Sequence, residues 1–187
     1  MVVGRESLLI MIRTLNRWFE WLLEVASIIL LISLALVVVL AVSFRFAGSS
    51  LVWYDEVASV QLAWLTYYGA ALAALQRGHL GFAGLFLALP PRLRSAAFVL
   101  AELFVIGFFL IIGYAGWYLL GVFGDEALIS LPWVPLSFTQ SVIPIGAALF
   151  IVAEILSIPD AWRKALAGTD YERQAIEETI KEARQSS

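Results

Sequence analysis

The stretch WYDEVASVQLAW, Trp53 to Trp64, sets two adjacent acids, Asp55 and Glu56, at the head of a segment that is uncharged up to Arg77. Acids so placed can serve acid–base catalysis or a metal site. Three more carboxylates, Glu24, Glu102 and Glu154, fall inside apolar stretches. The remaining chemistry is thin. With no Cys, the sequence holds no disulfide, thiol nucleophile or thiolate metal site. Its single His, His79, excludes a zinc site of several histidines in one chain. GxSxG, HExxH, P-loop and GxGxxG patterns are absent. The expectation is a chain that is not an enzyme, with no catalytic, substrate-binding or metal-ligating residues and no cofactor of its own.

The elements that carry these acids are membrane spans. Hydrophobic residues make up 61% of the 187 positions and charged residues 14%, against roughly 25% charged in soluble domains. Val25–Phe44 and Leu103–Gly124 carry no charge, and Val57–Gln76 has only Gln61 and Gln76 as strongly polar members. A fourth stretch, Ala127–Ala153, is broken early by Pro132 and Pro135, so its spanning part is expected to begin near Ser137. About 20 apolar residues cross a bilayer as a helix. The predicted fold is an all-α integral membrane protein, one membrane domain over 1–187. Its spans fall at about 22–44, 55–76, 95–123 and 137–158, with a charged tail at 160–187.

Charge sets the expected orientation. With both termini cytoplasmic, Arg45 alone of the 12 Lys and Arg residues falls outside, a strong positive-inside bias. Trp18, Trp21 and Trp162 then mark the inner interface, and Trp53, Trp117 and Trp133 the outer one. A secretory signal peptide is the rival reading of the N-terminus, but the first apolar run exceeds the roughly 7–15 residues of a signal core. Leu8, Ile12, Leu15, Phe19 and Leu22 recur at amphipathic spacing, which predicts an interfacial helix leading into an uncleaved first span. Leu80–Leu89 would be about 15 Å long as a helix, half a bilayer. It is expected to lie along the cytoplasmic interface before Pro90-Pro91. The tail, with Glu177 and Lys181 at favourable spacing, reads as a solvated helix.

The central thirds of all four spans lack Asp, Glu, Lys, Arg and His. Intramembrane ionisable groups, internal repeats and broken helices are what a self-sufficient transporter uses. Here the span centres hold no ionisable group and no internal repeat is visible. Glu24, Glu102 and Glu154 lie toward the cytoplasmic ends. Such acids either reach polar surroundings or Arg partners at the interface, or, for Glu102, contact another subunit.

The second span carries the most information. Asp55 and Glu56 fall in its first turn, where the helix dipole favours acids, while Arg77 lies at its C-terminus, Gly78 occupies a C-cap position and His79 follows. Both ends therefore read as helix punctuation, with partner contact through Asp55 and Glu56 as the alternative. Trp53, Val57, Val60, Trp64, Ala71 and Leu75 form one bulky, aromatic face. Gly69, Ala70, Ala73 and Ala74 form another of the small-xxx-small type that lets helices approach closely. Two packing faces on one span suggest a surface for another chain.

In order along the sequence come Arg45, Trp53-x-Asp55-Glu56, Trp64, Gly69-Ala70-Ala71 and Arg77-Gly78-His79. Pro90-Pro91-Arg92-Leu93-Arg94, Pro132-Trp133-x-Pro135 and Pro144-x-Gly146 follow. This set, over about residues 20–158, resembles the small membrane subunit of the tripartite ATP-independent periplasmic (TRAP) transporters, the DctQ-like family. Ser59 stands where that family often has a basic residue, and LGFAGLF follows His79 where polar or acidic residues are usual.

The resemblance implies a scaffold subunit of a sodium-driven organic-acid or C4-dicarboxylate uptake system in a bacterial or archaeal cytoplasmic membrane. It implies two protein partners: a large many-span subunit that binds sodium and substrate, and a periplasmic substrate-binding protein. Membrane lipid surrounds the chain, and nothing points to nucleic acid. Trp53, Asp55, Glu56, Trp64, Gly69, Ala70, Ala73 and Glu102 are the candidate partner contacts, with Arg45, Arg77, Gly78 and His79 at helix ends and interfaces. A small autonomous homo-oligomeric channel or transporter, and a membrane assembly factor, are the alternatives.

Overall fold

The computed structural model describes residues 3–77, 90–124 and 126–167. These residues form helices α1 (Val3–Phe46), α2 (Tyr54–Leu75), α3 (Pro91–Val122), α4 (Leu136–Gln140) and α5 (Val142–Ala167). Among the described residues, four segments are long and apolar enough to cross a membrane: Thr14–Phe46, Tyr54–Leu75, Arg92–Val122 and Leu136–Arg163, the last joining α4 to α5.

The amphipathic stretch at the N-terminus is not a separate element. It continues into the first span as one helix of 44 residues, because no Gly or Pro interrupts the chain between Arg5 and Ala47. The helix stops at Gly48, whose φ of 77° suits the left-handed turn of a C-terminal cap. Its N–H donates to Arg45 O at 3.2 Å, and Ser49 N–H donates to Phe44 O at 3.0 Å. The interfacial helix expected at Leu80–Leu89, together with Gly78 and His79, lies outside the described residues.

At the fourth span the prolines act as anticipated. Pro135 is extended, with ψ of 141°, and releases the single turn of α4. After Ser141 the chain re-enters helix as α5, with Pro144 in its first turn, where a missing N–H costs nothing. α5 then runs through Pro159 to Ala167, past the expected end at 158.

The spans pack in the order α1, α2, α5, α3, with α5 as the most enclosed. Small residues set the spacing: Ala71 and Ala74 of α2 and Ala147 and Ala153 of α5 are buried. The core gathers Leu23, Ala71, Ala74, Phe150 and Ala153. Phe109 of α3 stacks on Phe150, ring centroids 3.6 Å apart. In lipid there is little hydrophobic gain on bringing apolar helices together, so close backbone approach and interhelical hydrogen bonds hold them. Gln61 of α2 provides one, donating from Nε2 to Ser33 Oγ of α1 at 2.6 Å.

Candidate functional site

Three features of α2 concentrate the polar chemistry: one at each end and a stripe along its outer side.

At the first end, Glu56 reaches across to the loop that joins α3 to α4. Its Oε1 accepts from the backbone N–H of Ile129 at 3.2 Å, and Oε2 from that of Ser130 at 3.0 Å. The Ser130 hydroxyl donates to the same Oε2. The loop is also closed on itself. Leu136 N–H donates to Glu126 O at 2.8 Å and Leu128 N–H to Val134 O at 3.1 Å, with Ala127 and Pro135 bridged in antiparallel fashion. A charge-assisted triple contact of this kind fixes the loop's position. It leaves Ile129 and Trp133 standing out, 93% and 78% exposed. Asp55, the neighbouring acid, is exposed and makes no such contact, and Trp53 is half-buried at the N-cap. The two acids of WYDE thus differ in role, a division that the sequence alone could not make.

At the other end, Gln76 caps α2 and Arg77 follows with a left-handed φ of 53°. The left-handed position therefore falls on Arg77, one residue before the expected Gly78. That conformation strains a residue with a Cβ, and a specific partnership accompanies it. Arg77 Nη1 lies 2.5 Å from Glu102 Oε1 of α3 and 2.9 Å from Glu154 Oε1 of α5. Its guanidinium also stands 5.8 Å from the centre of the Phe98 ring. One cation thereby ties three helices. Glu102, read from sequence either as reaching an arginine at the inner interface or as an intersubunit contact, faces Arg77 of its own chain. Glu154 was visible in the sequence only as an acid near a span end. Nothing in its spacing marks Arg77 as its partner.

Along α2 between these ends, every exposed residue lies on one stripe: Asp55, Ser59, Leu62 and Thr66, continued by half-buried Gly69 and Ala73 to exposed Gln76. The steps alternate between four and three residues, the seam of a left-handed helix pair. Ser59 and Thr66 donate back to the carbonyls of Asp55 and Leu62 at 2.8 and 2.7 Å. A Cβ added at Gly69 would meet nothing within 4 Å. The outer faces of α1 and α3 are unlike it. They expose Ile28, Ile32 and Leu36, and Phe104, Ile111 and Trp117.

The small-residue face read from the sequence therefore divides. Ala74 is buried, and Ala70 is packed on the core beside it. Gly69 and Ala73 belong to the outer stripe. Trp64 of the bulky face stacks on Tyr68, centroids 5.9 Å apart, and lies against Phe138 of α4 at 5.8 Å. Arg45 is exposed in the last turn of α1. Among the described residues no cluster of His, Cys, Asp and Glu could hold a metal ion.

Comparison with protein families matches residues 34–164 to the DctQ component of the tripartite ATP-independent periplasmic transporters. That is more than half of the chain. The chain belongs to the DctQ family. It is the small membrane subunit of a TRAP transporter, a transporter component from a family that is not one of enzymes. No match was found among curated proteins. The DctQ region takes in α2, α3, α4 and most of α5, and so includes Glu56 with its loop and the Arg77–Glu102–Glu154 cluster.

Proposed function

We propose that this DctQ protein is the scaffold subunit of a sodium-driven importer of an organic acid, of the C4-dicarboxylate kind, in a bacterial or archaeal cytoplasmic membrane. A periplasmic binding protein captures the acid, a large many-span subunit binds sodium and carries it across, and this chain braces that large subunit. Both of its termini are cytoplasmic, so Glu56 and its loop face outward and the Arg77 cluster inward.

The observation that carries this reading is the contrast between the α2 stripe and the faces beside it. Ser59, Thr66, Gly69 and Ala73 offer lipid little to pack against. A partner helix gains close backbone contact there. Asp55 at the head of the stripe adds an exposed charge for a basic group on the partner. Span centres without ionisable residues, with Glu102 and Glu154 held toward one end by Arg77, support a bracing role over one in conduction.

Uptake into proteoliposomes tests the reading. We expect no uptake by this chain alone, and sodium-dependent uptake once the large subunit and the loaded binding protein are both present. Uptake by this chain alone would overturn it.

A further inference from the structure

The loop between α3 and α4 is built unlike a connection that faces water. From Ala127 to Pro135 it reads ALISLPWVP, with no charged residue and Ser130 as its one hydroxyl. The α1–α2 connection, at the same end of the spans, carries Gly48-Ser49-Ser50 between Arg45 and Asp55. Ile129, Pro132 and Trp133 of the α3–α4 loop are nonetheless exposed. Its polar groups are turned inward instead. The N–H groups of Leu128 and Val134 donate to carbonyls of the loop, and that of Leu136 closes its base on Glu126 O. Those of Ile129 and Ser130, with the Ser130 hydroxyl, donate to Glu56. Pro132 and Pro135 have no N–H to satisfy.

Glu56 also sets the level at which the loop sits. It lies in the first turn of α2, and the charge-free stretch Val57–Gln76 begins at the next residue. Ile129 and Ser130, bonded to its carboxylate, are therefore held level with the point where α2 enters the apolar layer. Trp117 and Tyr118 stand exposed in the last two turns of α3, which leads into the loop. Trp and Tyr gather where lipid meets water, and Trp133 joins them there. Irregular backbone beside lipid is tolerated only where its polar groups are satisfied from within. A loop with no charge, an inward-bonded backbone and an apolar tip at this depth meets that condition.

We propose that the α3–α4 loop is a membrane-interface anchor, with Ile129 and Trp133 seated in the bilayer surface between the headgroups and the acyl chains. The occupant of its apolar tip is lipid, held by burial of apolar area. The loop carries no charge with which to select a headgroup. It gives the chain a hold on the bilayer separate from the four spans. Through Glu56, it also ties the head of the α2 stripe to a fixed depth.

The test is spin-label accessibility of the full chain in phosphatidylcholine vesicles. Ile129→Cys and Trp133→Cys, both at exposed positions of a chain without Cys, each carry a nitroxide. Ser49→Cys and Glu126→Cys are the water-facing references, and Leu110→Cys on the outer face of α3 is the lipid-facing one. Oxygen concentrates in lipid and a nickel chelate in water, the chelate being supplied on both sides of the membrane. Labels at Ile129 and Trp133 should meet the chelate severalfold less often than those at Ser49 and Glu126, and oxygen more often. Their depth should be shallower than that of Leu110. Chelate access equal to that of Ser49 at both positions would place the loop in water and overturn the proposal. The same labels are then read in the complex assembled with the large subunit and the binding protein. Oxygen access should persist there. Loss of both oxygen and chelate access on assembly would mean that a protein covers the tip, and would overturn lipid as its occupant.

Discussion

Gly146 of α5 lies directly against Tyr67 of α2: a Cβ added to the glycine would come within 2.5 Å of Tyr67 Cδ1 and 2.6 Å of its Cβ. The second of these atoms is fixed by the α2 backbone, so rotation of the ring cannot make room. Gly146→Ala should therefore push α2 and α5 apart. Overpacking of this kind costs about 1–3 kcal/mol. The measurement is the thermal midpoint of the detergent-solubilised chain, which should fall. Tyr67→Gly in the same chain, which removes that Cβ together with the ring, should give a combined loss smaller than the sum of the two single losses, because residues in contact are not additive. A Gly146→Ala protein with the wild-type midpoint would show that α2 and α5 can separate freely.

The division of labour between Asp55 and Glu56 gives a second expectation. Glu56→Ala removes the acceptor for Ile129 N–H, Ser130 N–H and the Ser130 hydroxyl together. Backbone amides of residues 129 and 130 should then exchange with solvent much faster, by tenfold or more in opening equilibrium if about 1.4 kcal/mol of restraint is lost from the loop. Asp55→Asn should leave that exchange unaltered. Hydrogen exchange read by mass spectrometry over the α3–α4 loop decides it. Equal protection in wild type and Glu56→Ala would mean that the loop's own hydrogen bonds suffice.

The four spans could be read from the sequence because lipid imposes a simple rule: long uncharged runs must be helices. The break at Pro132 and Pro135 was legible for the same reason, as local backbone chemistry. The continuity of α1 was not. Amphipathic spacing around Leu8 to Leu22 describes what surrounds a helix, not where it ends, and only the lack of Gly and Pro could have signalled one element. Partnerships were the least legible. Gln61 stood out as a strongly polar member of its span, yet its hydrogen bond to Ser33 depends on how α1 and α2 are rotated. Arg77 reads from sequence as a residue at a helix end. Its link to Glu102 and Glu154 exists only because α3 and α5 bring acids to the same depth.

Orientation is tested independently of family. The chain lacks Cys, so single cysteines can report on exposure without background. Replacements at Ser49 and Glu126 should react with an impermeant maleimide added outside intact cells, and those at Arg92 and Ser186 should react only after permeabilisation. The structure places Ser49 between α1 and α2 and Glu126 between α3 and α4. These two positions must therefore share a side if the spans all cross. The reverse labelling pattern would invert the membrane side assigned to Glu56 and Arg77 alike.

The outer stripe of α2 makes the sharpest claim about assembly. Gly69→Leu puts a bulky side chain where, among the described residues, nothing lies within 4 Å of an added Cβ, so the isolated subunit should insert and fold as before. A partner helix seated on the stripe would be forced away, and the close contacts favoured by small residues would be lost. Co-purification of the large membrane subunit should fall at least tenfold, with uptake falling in step, for Gly69→Leu and for Ala73→Leu. Leucines on the outer face of α3 provide the contrast: Leu103→Ala and Leu110→Ala, both at exposed positions, should co-purify at wild-type yield. Asp55→Asn separates two roles for the acid. It should matter little if the charge only complements the α2 terminus, and should lower the yield markedly if it meets a basic group on the partner. Wild-type yield for both Gly69→Leu and Ala73→Leu would remove the stripe from the interface and move the contact to the bulky faces of α1 or α3.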